Sequence, residues 1–401
     1  MRWVALIACA LACAAPAARA AAPGVSYSTW VLGEHGVTLR YVLPALEAER
    51  LTGSAVPVLT VSKLGDYVLG HVAVTSGHAD CPAIDQGYDL GRVDPLEVGA
   101  GLYGFEIVFR CTETPGALAL HEHALFDRDP AHVDFARIER DGHSVQQLFT
   151  ASRQILRVPA EGPVPAAAPA QYAQLGLAHL LRGLDRLCLL LAALVLVRSA
   201  RELGLVLAAL TAGYALSLII EATGSVLPRM EPIGAYVGFL VALLAVSIAV
   251  RETPESRRAL LALGFPLLLL LLALGTALAH ATQAALVLFG AALVSGGLLA
   301  IVATSGLPAA LCAGLFGFLD GFTLPALLGP LHAAARTEAL MVSAYDAGAV
   351  LAACACLGLV ATTFVWLRSR SLPIPRPFLN DVAAACLGGI GTVWFLSRLH
   401  S

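Results

Sequence analysis

The strongest constraint on this chain is a succession of apolar runs that begins at Tyr172 and continues almost to the C-terminus. A helix of about 20 apolar residues is long enough to cross the hydrocarbon core of a bilayer, which is roughly 30 Å thick. Residues 172–401 are therefore predicted to form an all-α, polytopic membrane bundle of about eight transmembrane helices. The predicted helices cover residues 173–197, 203–222, 232–250, 259–280, 283–304, 306–330, 338–367 and 381–397.

The arginines between these runs predict how the bundle is oriented, because positive residues concentrate in cytoplasmic loops. The loops predicted to face outward carry only Arg229 and Arg336, and Arg398 follows in the outer tail. The other loops carry Arg198, Arg201, Arg251, Arg257, Arg258, Arg368, Arg370 and Arg376. We therefore expect a multi-pass protein of the bacterial inner (plasma) membrane, with its N-terminal part outside the cytoplasm and the lipid bilayer as its surroundings.

Residues 1–20 have the features of a secretory signal peptide. Arg2 supplies the positive start, and an apolar run over residues 4–14 follows that is too short to span a bilayer. Residues 18–20, Ala-Arg-Ala, match the small-x-small cleavage pattern, with cleavage after Ala20. The alternative is an uncleaved anchor helix.

Residues 21–157 are predicted to form an extracytoplasmic β-rich domain, and residues 158–171 a linker rich in Pro and Ala. Short strand-like segments separated by Gly, Pro and Asp favour an antiparallel β-sandwich. These segments are residues 37–44, 56–62, 67–76, 104–111 and 117–126. Acidic residues outnumber basic ones in this part, and neither part of the chain is basic enough to indicate nucleic-acid binding.

Two cysteines of the predicted exported domain are expected to form a disulfide. Of the nine cysteines, only Cys81 and Cys111 lie within residues 21–157. An even pair in an oxidising compartment indicates a disulfide. The cysteines in the apolar helices are expected to pack as small apolar side chains.

Six ionisable residues inside the predicted helices are the candidate functional residues, because charges inside a bilayer are costly. They are His179, Arg182, Asp185, Arg186, Asp320 and Asp346. Counting about 1.5 Å per residue from the outer helix ends places the histidine and the three aspartates in the outer half of the bilayer or near its middle. Their nitrogen and oxygen ligands would suit a divalent cation. The structural alternative pairs Arg182 with Asp185, three residues apart, and leaves Asp320 and Asp346 as hydrogen-bonding groups between helices.

Two further patterns have both a structural and a functional interpretation. Gly314, Gly317 and Gly321 form a small-residue ridge that favours close helix packing, although DGFTLP at residues 320–325 could also break the helix. In the exported domain, His121 and His123 share one face of a predicted strand. They form either a metal site with His132 or Asp127, or part of a solvated face.

The segment GLAHLLRGLDRLCLLLAALVL at residues 176–196 resembles the opening of the HupE/UreJ family of membrane proteins. That family shows a pattern like G-x-x-H-I-x-x-G-x-D-H before an apolar run. Gly176, His179, Gly183 and Asp185 match it, and Arg186 replaces the last His. Weaker matches in other motifs of the family retain Thr211, Glu231, Gly317, Gly321 and Gly348. In these motifs Tyr214 and Asp320 each replace a His, and Asp346 replaces an Asn.

The resemblance implies a permease, since members of this family are linked to nickel or cobalt uptake for hydrogenase and urease maturation. An enzyme is not expected, because the sequence shows neither a Ser/His arrangement nor an HExxH motif of the kind that an intramembrane hydrolase needs. It implies that His179, Asp185, Asp320 and Asp346 bind a transported divalent metal ion, with no permanently bound cofactor. Arg182 and Arg186 would gate the site or form its ion pairs, and metalloenzyme maturation proteins are possible partners. The alternative is a non-transporting membrane-anchored assembly or partner-binding protein that acts through its extracytoplasmic domain.

Overall fold

A computed structural model describes residues 24–44, 47–48, 61–84, 102–111, 116–223, 230–252, 255–279, 281–302, 307–328, 335–369 and 376–399. The contacts between residues divide the chain into two units. One contains Ala21–Gln171 and the other contains Tyr172–Ala326 and Ala335–Ser401. The predicted signal peptide, residues 1–20, lies outside the described residues.

Two β-sheets and a helix make up the described part of the first unit. The strands are β1 (Val25–Gly33), β2 (Gly36–Pro44), β3 (Val72–Ser76), β4 (Ala79–Cys81), β5 (Ala83–Ile84), β6 (Leu102–Arg110), β7 (Leu118–Glu122), β8 (Val133–Arg140), β9 (His143–Thr150) and β10 (Ile155–Val158). One sheet has the order β5-β6-β2-β1-β8-β9 and the other the order β10-β7-β3-β4. Helix α1 (Val61–Leu69) precedes β3.

The two sheets enclose one apolar core. Trp30 and Leu39 from the larger sheet share this core with Val74 and Leu120 from the smaller sheet, and all four are at most 1% exposed. Buried and more exposed residues alternate along β2 and β7, as expected for strands with one buried face. Cys81 and Cys111 form the predicted disulfide.

The larger sheet is mixed rather than antiparallel, which corrects the prediction. Strands β1 and β8 run parallel, with Val25 opposite Val133 and Leu32 opposite Arg140. The two strands are separated by about 100 residues of chain. Local alternation of apolar residues reveals that a strand exists but carries no information about such distant pairing.

One predicted strand is partly wrong. Residues 67–69 of the predicted strand 67–76 belong to helix α1, and only its second half forms β3. Leu64 and Val68 are both buried and lie four residues apart, which is helical spacing. The predicted strand 56–62 falls mostly outside the described residues, and its last two residues belong to α1.

The predicted linker packs along the first unit, which we call the exported domain after its predicted location. After β10 ends at Val158, residues 159–168 have no regular secondary structure. The Ala167 N–H donates to the Gln146 carbonyl at 2.8 Å, and Gln147 Nε2 donates to the Pro165 carbonyl at 2.7 Å. These bonds hold the segment against β9.

The second unit is helical throughout its described residues. Its helices are α2 (Pro169–Arg182), α3 (Leu184–Leu196), α4 (Ala200–Ala222), α5 (Met230–Glu252), α6 (Glu255–Leu278), α7 (Thr282–Val302), α8 (Leu307–Asp320), α9 (Thr323–Leu328), α10 (Ala335–Ser369) and α11 (Arg376–Arg398). Among the described residues, four spans are long and apolar enough to cross a membrane: Ala200–Glu221, Ile233–Arg251, Leu307–Leu328 and Glu338–Thr363. Eight crossings therefore stay a prediction.

Two of the predicted helices are broken. The first divides into α2 and α3 at Gly183, whose backbone is extended (φ −77°, ψ 97°). The sixth divides into α8 and α9 at residues 321–322. A continuous helix there would bring the ring of Pro325 against the carbonyl of Gly321, so the break relieves that clash. DGFTLP thus interrupts the helix, as one of the two interpretations predicted.

The glycine ridge also packs closely, as the other interpretation predicted. A Cβ on Gly317 would overlap the Leu210 carbonyl of α4, and one on Gly213 would overlap the Gly314 carbonyl of α8. Helices α4 and α8 can therefore approach to backbone contact only because these positions lack side chains.

Helices α2 and α10 also approach each other closely at glycine positions. A Cβ on Gly176 would overlap the Tyr345 carbonyl, and one on Gly348 would overlap the Ala173 carbonyl. This contact fixes the height of His179 on α2 against Tyr345 on α10, whose rings lie 5.6 Å apart between centroids.

Candidate functional site

The two helix breaks place two aspartates at helix ends. Asp185 lies in the first turn of α3, where the helix dipole favours a negative charge. Asp320 is the last residue of α8. Both are buried, with 3% and 0% of their surface exposed. A Cβ on Gly183 would lie 2.6 Å from Arg186 Nη1, so glycine leaves the room into which Arg186 folds.

Two arginines connect these carboxylates. Arg186 Nε donates to Asp320 Oδ1 at 3.0 Å, and Arg186 Nη1 donates to Asp185 Oδ1 at 3.3 Å. Arg398, at the end of α11, donates through Nη1 to Asp185 Oδ2 at 2.8 Å and to the Gly234 carbonyl at 2.9 Å. We call Asp185, Arg186, Asp320 and Arg398 the arginine–carboxylate network.

The network contains two positive and two negative side chains, and its formal charge is zero. Buried charges need such compensation, because removing one partner leaves the other charge without solvent or counter-ion. Each aspartate accepts hydrogen bonds through both carboxylate oxygens, from Arg186 and Arg398 at Asp185 and from Arg186 and Tyr214 at Asp320. The network thereby joins α3, α8 and α11, and the bond from Tyr214 links it to α4.

Tyr214 and His179 complete the surroundings of Asp320. The Tyr214 hydroxyl donates to Asp320 Oδ2 at 2.8 Å. His179 Nε2 lies 3.5 Å from Asp320 Oδ1, the same oxygen that accepts from Arg186. Tyr214, which replaces the His of the family motif, therefore contacts Asp320 through its hydroxyl.

Asp346 is also buried, but unlike Asp185 and Asp320 it has no arginine partner among the described residues. Its side chain is 5% exposed, and neither carboxylate oxygen has a hydrogen-bond partner among the described residues. The same holds for the buried hydroxyls of Tyr172, Tyr345 and Thr323. Leaving buried polar groups unpaired costs free energy, so such groups call for an explanation. Asp346 has ligating capacity that the described part of the protein does not use.

Two further acids stand near Asp346. The carboxylates of Asp320 and Glu221 lie close enough to act on Asp346 electrostatically, and Glu338 acts on Glu221 in the same way. Glu338 and Asp346 are eight residues apart on α10, which corresponds to about 12 Å along the helix axis. We call Glu338, Glu221, Asp346 and Asp320 the acidic series. It leads from the ends of α4 and α10 to the arginine–carboxylate network.

Three other residues named in the sequence analysis either lie away from these groups or have side chains outside the described part of the chain. Arg182 is exposed, and its predicted ion pair with Asp185 does not form, because the break at Gly183 ends the helical spacing on which it depended. Thr211 is exposed and donates its hydroxyl to the Leu207 carbonyl. Glu231 belongs to α5, but its side chain is outside the described part of the chain.

Sequence reasoning missed Arg398 and Glu221 as participants. The sequence places Arg398 in a predicted outer tail, and its partner Asp185 is 213 residues away in the chain. Glu221 lies near the end of the predicted helix 203–222 and is not among the six candidate residues of the sequence analysis. A charged residue in the terminal turn of a membrane helix was the available signal, but it does not identify a partner.

The predicted metal ligands are neighbours without forming a closed metal site. His179 and Asp320 are in contact, and Arg186 stands between Asp320 and Asp185. Within the described ranges, no three His, Cys, Asp or Glu side chains are grouped closely enough to hold an ion as they stand. The arrangement is an acid-rich site whose inner carboxylates are held by arginine.

The metal site considered for the exported domain does not form with the residues first suggested. His132 is buried and its Nε2 bonds the Ser26 hydroxyl at 2.8 Å, on the larger sheet. Asp127 accepts from the Tyr67 hydroxyl at 2.8 Å. His121 and His123 do lie side by side, with ring centroids 6.1 Å apart.

A comparison with protein families supports the resemblance. The family model described as HupE / UreJ protein matches residues 157–289. This range includes Gly176, His179, Gly183, Asp185, Arg186 and Tyr214. No curated protein and no solved structure matches the chain. The resemblance is confirmed over the matched residues, while Asp320 and Asp346 lie beyond them.

Proposed function

We propose, from the HupE/UreJ match over residues 157–289, that this protein is an inner-membrane permease for a divalent cation of the nickel or cobalt class. The eight predicted helices cross the membrane, and the β-sandwich lies outside the cytoplasm. The metal ion is the cargo, so no resident cofactor is part of the proposal. Asp346, Asp320 and His179 are its proposed ligands on the way through the bundle.

The observation that carries the proposal is the unpartnered carboxylate of Asp346. An intramembrane acid is expensive and is a functional candidate by default. Both of its oxygens lack a hydrogen-bond partner within the described residues, and Asp320 acts on it from nearby. Two carboxylates together neutralise one divalent cation, and the imidazole of His179 adds a nitrogen ligand that suits nickel or cobalt.

Arg186 supplies the means of closing the site. Its guanidinium donates to both Asp320 and Asp185, so it occupies with positive charge the place next to Asp320 that a cation would take. A cation bound between Asp346 and Asp320 repels Arg186, which keeps its bond to Asp185. Arg398 holds the other oxygen of Asp185 throughout.

The test is cellular uptake of radioactive nickel, cobalt, zinc and manganese. We expect the wild type to accumulate nickel or cobalt, and Asp346→Asn and Asp320→Asn to reduce uptake at least tenfold at equal membrane expression. Asp381→Asn is the matched control, because Asp381 is an exposed acid on α11. It should transport as the wild type does.

A second candidate is a membrane-anchored assembly or partner-binding protein. Its support is that Arg186 and Arg398 satisfy Asp185 and Asp320 as a purely structural network would. Uptake of all four ions at the empty-vector level would reject the permease for these metals and favour this candidate. Under it, Asp346→Asn leaves function intact.

A further inference from the structure

Three histidines meet on the outer face of the smaller sheet of the exported domain. The pairing of β3 with β7 puts His121 opposite Ala73. Continuing the register by two residues puts His123 opposite His71, and the His123 N–H donates to the His71 carbonyl at 2.9 Å. Residues two apart on a strand share a face. The imidazoles therefore stand at three corners of a rectangle whose fourth corner is the small side chain of Ala73.

The opposite face of these strands is buried, which fixes the orientation of the histidines. Val72, Val74, Leu120 and Glu122 lie within the domain and are at most 5% exposed. His71, His121 and His123 alternate with them and are partly exposed. A solvated ion can therefore reach all three rings without any change in the strands.

The ring of His123 is already held in the tautomer that a metal ion needs. His123 Nδ1 lies 2.6 Å from Gln154 Oε1. This oxygen only accepts, so Nδ1 carries the proton and Nε2 has the free lone pair. In its present orientation, His71 Nδ1 lies 2.7 Å from the Tyr67 carbonyl. Metal-ligating histidines usually have their other ring nitrogen fixed by such an acceptor.

The ring of His121 lies beside that of His123. The rings of His121 and His123 are 6.1 Å apart between centroids, close to the separation of two imidazoles that share an ion.

We propose that His121, His123 and His71 bind a divalent transition-metal ion such as Ni²⁺, Cu²⁺ or Zn²⁺ on the surface of the exported domain. Imidazole is a good ligand for all three ions. His121 and His123 form the initial pair. The His71 ring, whose centroid lies 4.1 Å from that of Tyr67, gives up its bond to the Tyr67 carbonyl and turns toward Ala73 to become the third ligand.

Equilibrium dialysis of the full-length protein in detergent, with NiCl₂ as the probe, tests the site. The Asp320→Asn/Asp346→Asn background removes the proposed intramembrane ligands, so its outcome is independent of transport. We expect this background to bind one Ni²⁺, and His121→Ala or His123→Ala to weaken binding at least tenfold. His143→Ala, an exposed histidine on the other sheet, should bind as the background does.

A substitution of Gln154 distinguishes a preorganised metal site from chance binding by exposed histidines. Gln154→Leu removes the acceptor that fixes His123 and should weaken Ni²⁺ binding about 10- to 100-fold, although Gln154 touches no metal. His71→Ala should lower affinity as well, and unchanged affinity would overturn its role as the third ligand. Binding that survives both His121→Ala and His123→Ala, or no binding in the background protein, would overturn the site.

Discussion

The two domains bury carboxylates in opposite ways. In the helical domain, Asp185 and Asp320 are each bonded to arginine. In the exported domain, Asp134 is fully buried, and its bonding partners are the hydroxyls of Ser26 and Ser28. Opposite charge surrounds Asp185 and Asp320 of the helical domain, whereas neutral dipoles surround Asp134 of the exported domain.

The difference separates acids that must stay charged from an acid that need not. An arginine stabilises the ionised carboxylate, which is the form that the proposed cation site requires. Burial raises the pKa of Asp134 to about 6, although hydrogen bonds from Ser28 and Ser26 oppose the shift. The pKa of the neighbouring Glu122 is also raised, by burial and by the charge of Asp134. Burial thus raises the pKa of two acids in the exported domain, whereas arginines compensate the charges of Asp185 and Asp320 in the helical domain.

The largest expected effect comes from removing one arginine of the network. Arg186→Leu leaves Asp320 without its cationic partner and takes one of two from Asp185. Breaking a buried ion pair from one side costs about 3–5 kcal/mol of unfolding free energy. Unfolding of the purified protein by SDS in mixed micelles, followed by the circular dichroism of its helices, measures this loss.

A double variant shows whether charge is the cause. Arg186→Leu/Asp320→Asn removes both members of the pair and should recover part of the lost stability, because no uncompensated charge stays at residue 320. A loss below about 1 kcal/mol for Arg186→Leu would show that the comparison between the domains does not rest on charge compensation.

A smaller effect is expected from Asp134, and it depends on pH. Below the ordinary aspartate pKa, both folded and unfolded chains hold the proton. As pH rises toward about 6, the unfolded chain loses its proton first, so stability falls. The total loss is about 3 kcal/mol, and it is complete above the folded pKa. The exported domain should therefore be more stable near pH 4 than near pH 7 as far as this group is concerned.

Asp134→Asn should flatten that dependence. Urea unfolding between pH 4 and 7, followed by the fluorescence of Trp30, measures it in full-length protein carrying Trp3→Phe, Trp366→Phe and Trp394→Phe. The wild type should lose more stability than the variant across this range. Removing the charge also takes away one cause of the raised pKa of Glu122, which acts in the same direction. Equal slopes would mean that Asp134 is ionised as readily as in water.

Sequence patterns predicted the helices far better than the contacts between them. Apolar runs placed a helix at each expected segment, because lipid demands a continuous apolar surface. They did not reveal the break at Gly183, since one extended residue changes no hydropathy. The pairing of Asp185 with Arg398 depends on how α3 and α11 pack, and no local pattern encodes it.

The exported domain shows the same limit at shorter range. The alternation in residues 37–44 and 104–111 correctly predicted β2 and β6. The parallel pairing of β1 with β8, and with it the burial of Asp134, is a property of two strands far apart in the chain. In both domains the candidate residues were visible in the sequence, whereas their partners came only from tertiary packing.

The smallest effect is expected from an arginine–carboxylate pair that is exposed. Arg40 Nε and Glu106 Oε2 lie 3.1 Å apart on the paired strands β2 and β6, with 58% and 23% of their side-chain surfaces exposed. Surface pairs contribute about 0–1 kcal/mol, because water and salt already screen both charges. Arg40→Gln should therefore change the urea unfolding free energy by less than about 1 kcal/mol, and by less still in 1 M salt. Arg40 and Arg186 make the same kind of bond at nearly the same distance, so the contrast between their variants isolates burial. A cost of about 3 kcal/mol for Arg40→Gln would mean that geometry, and not the exclusion of water, gives the buried network its stability.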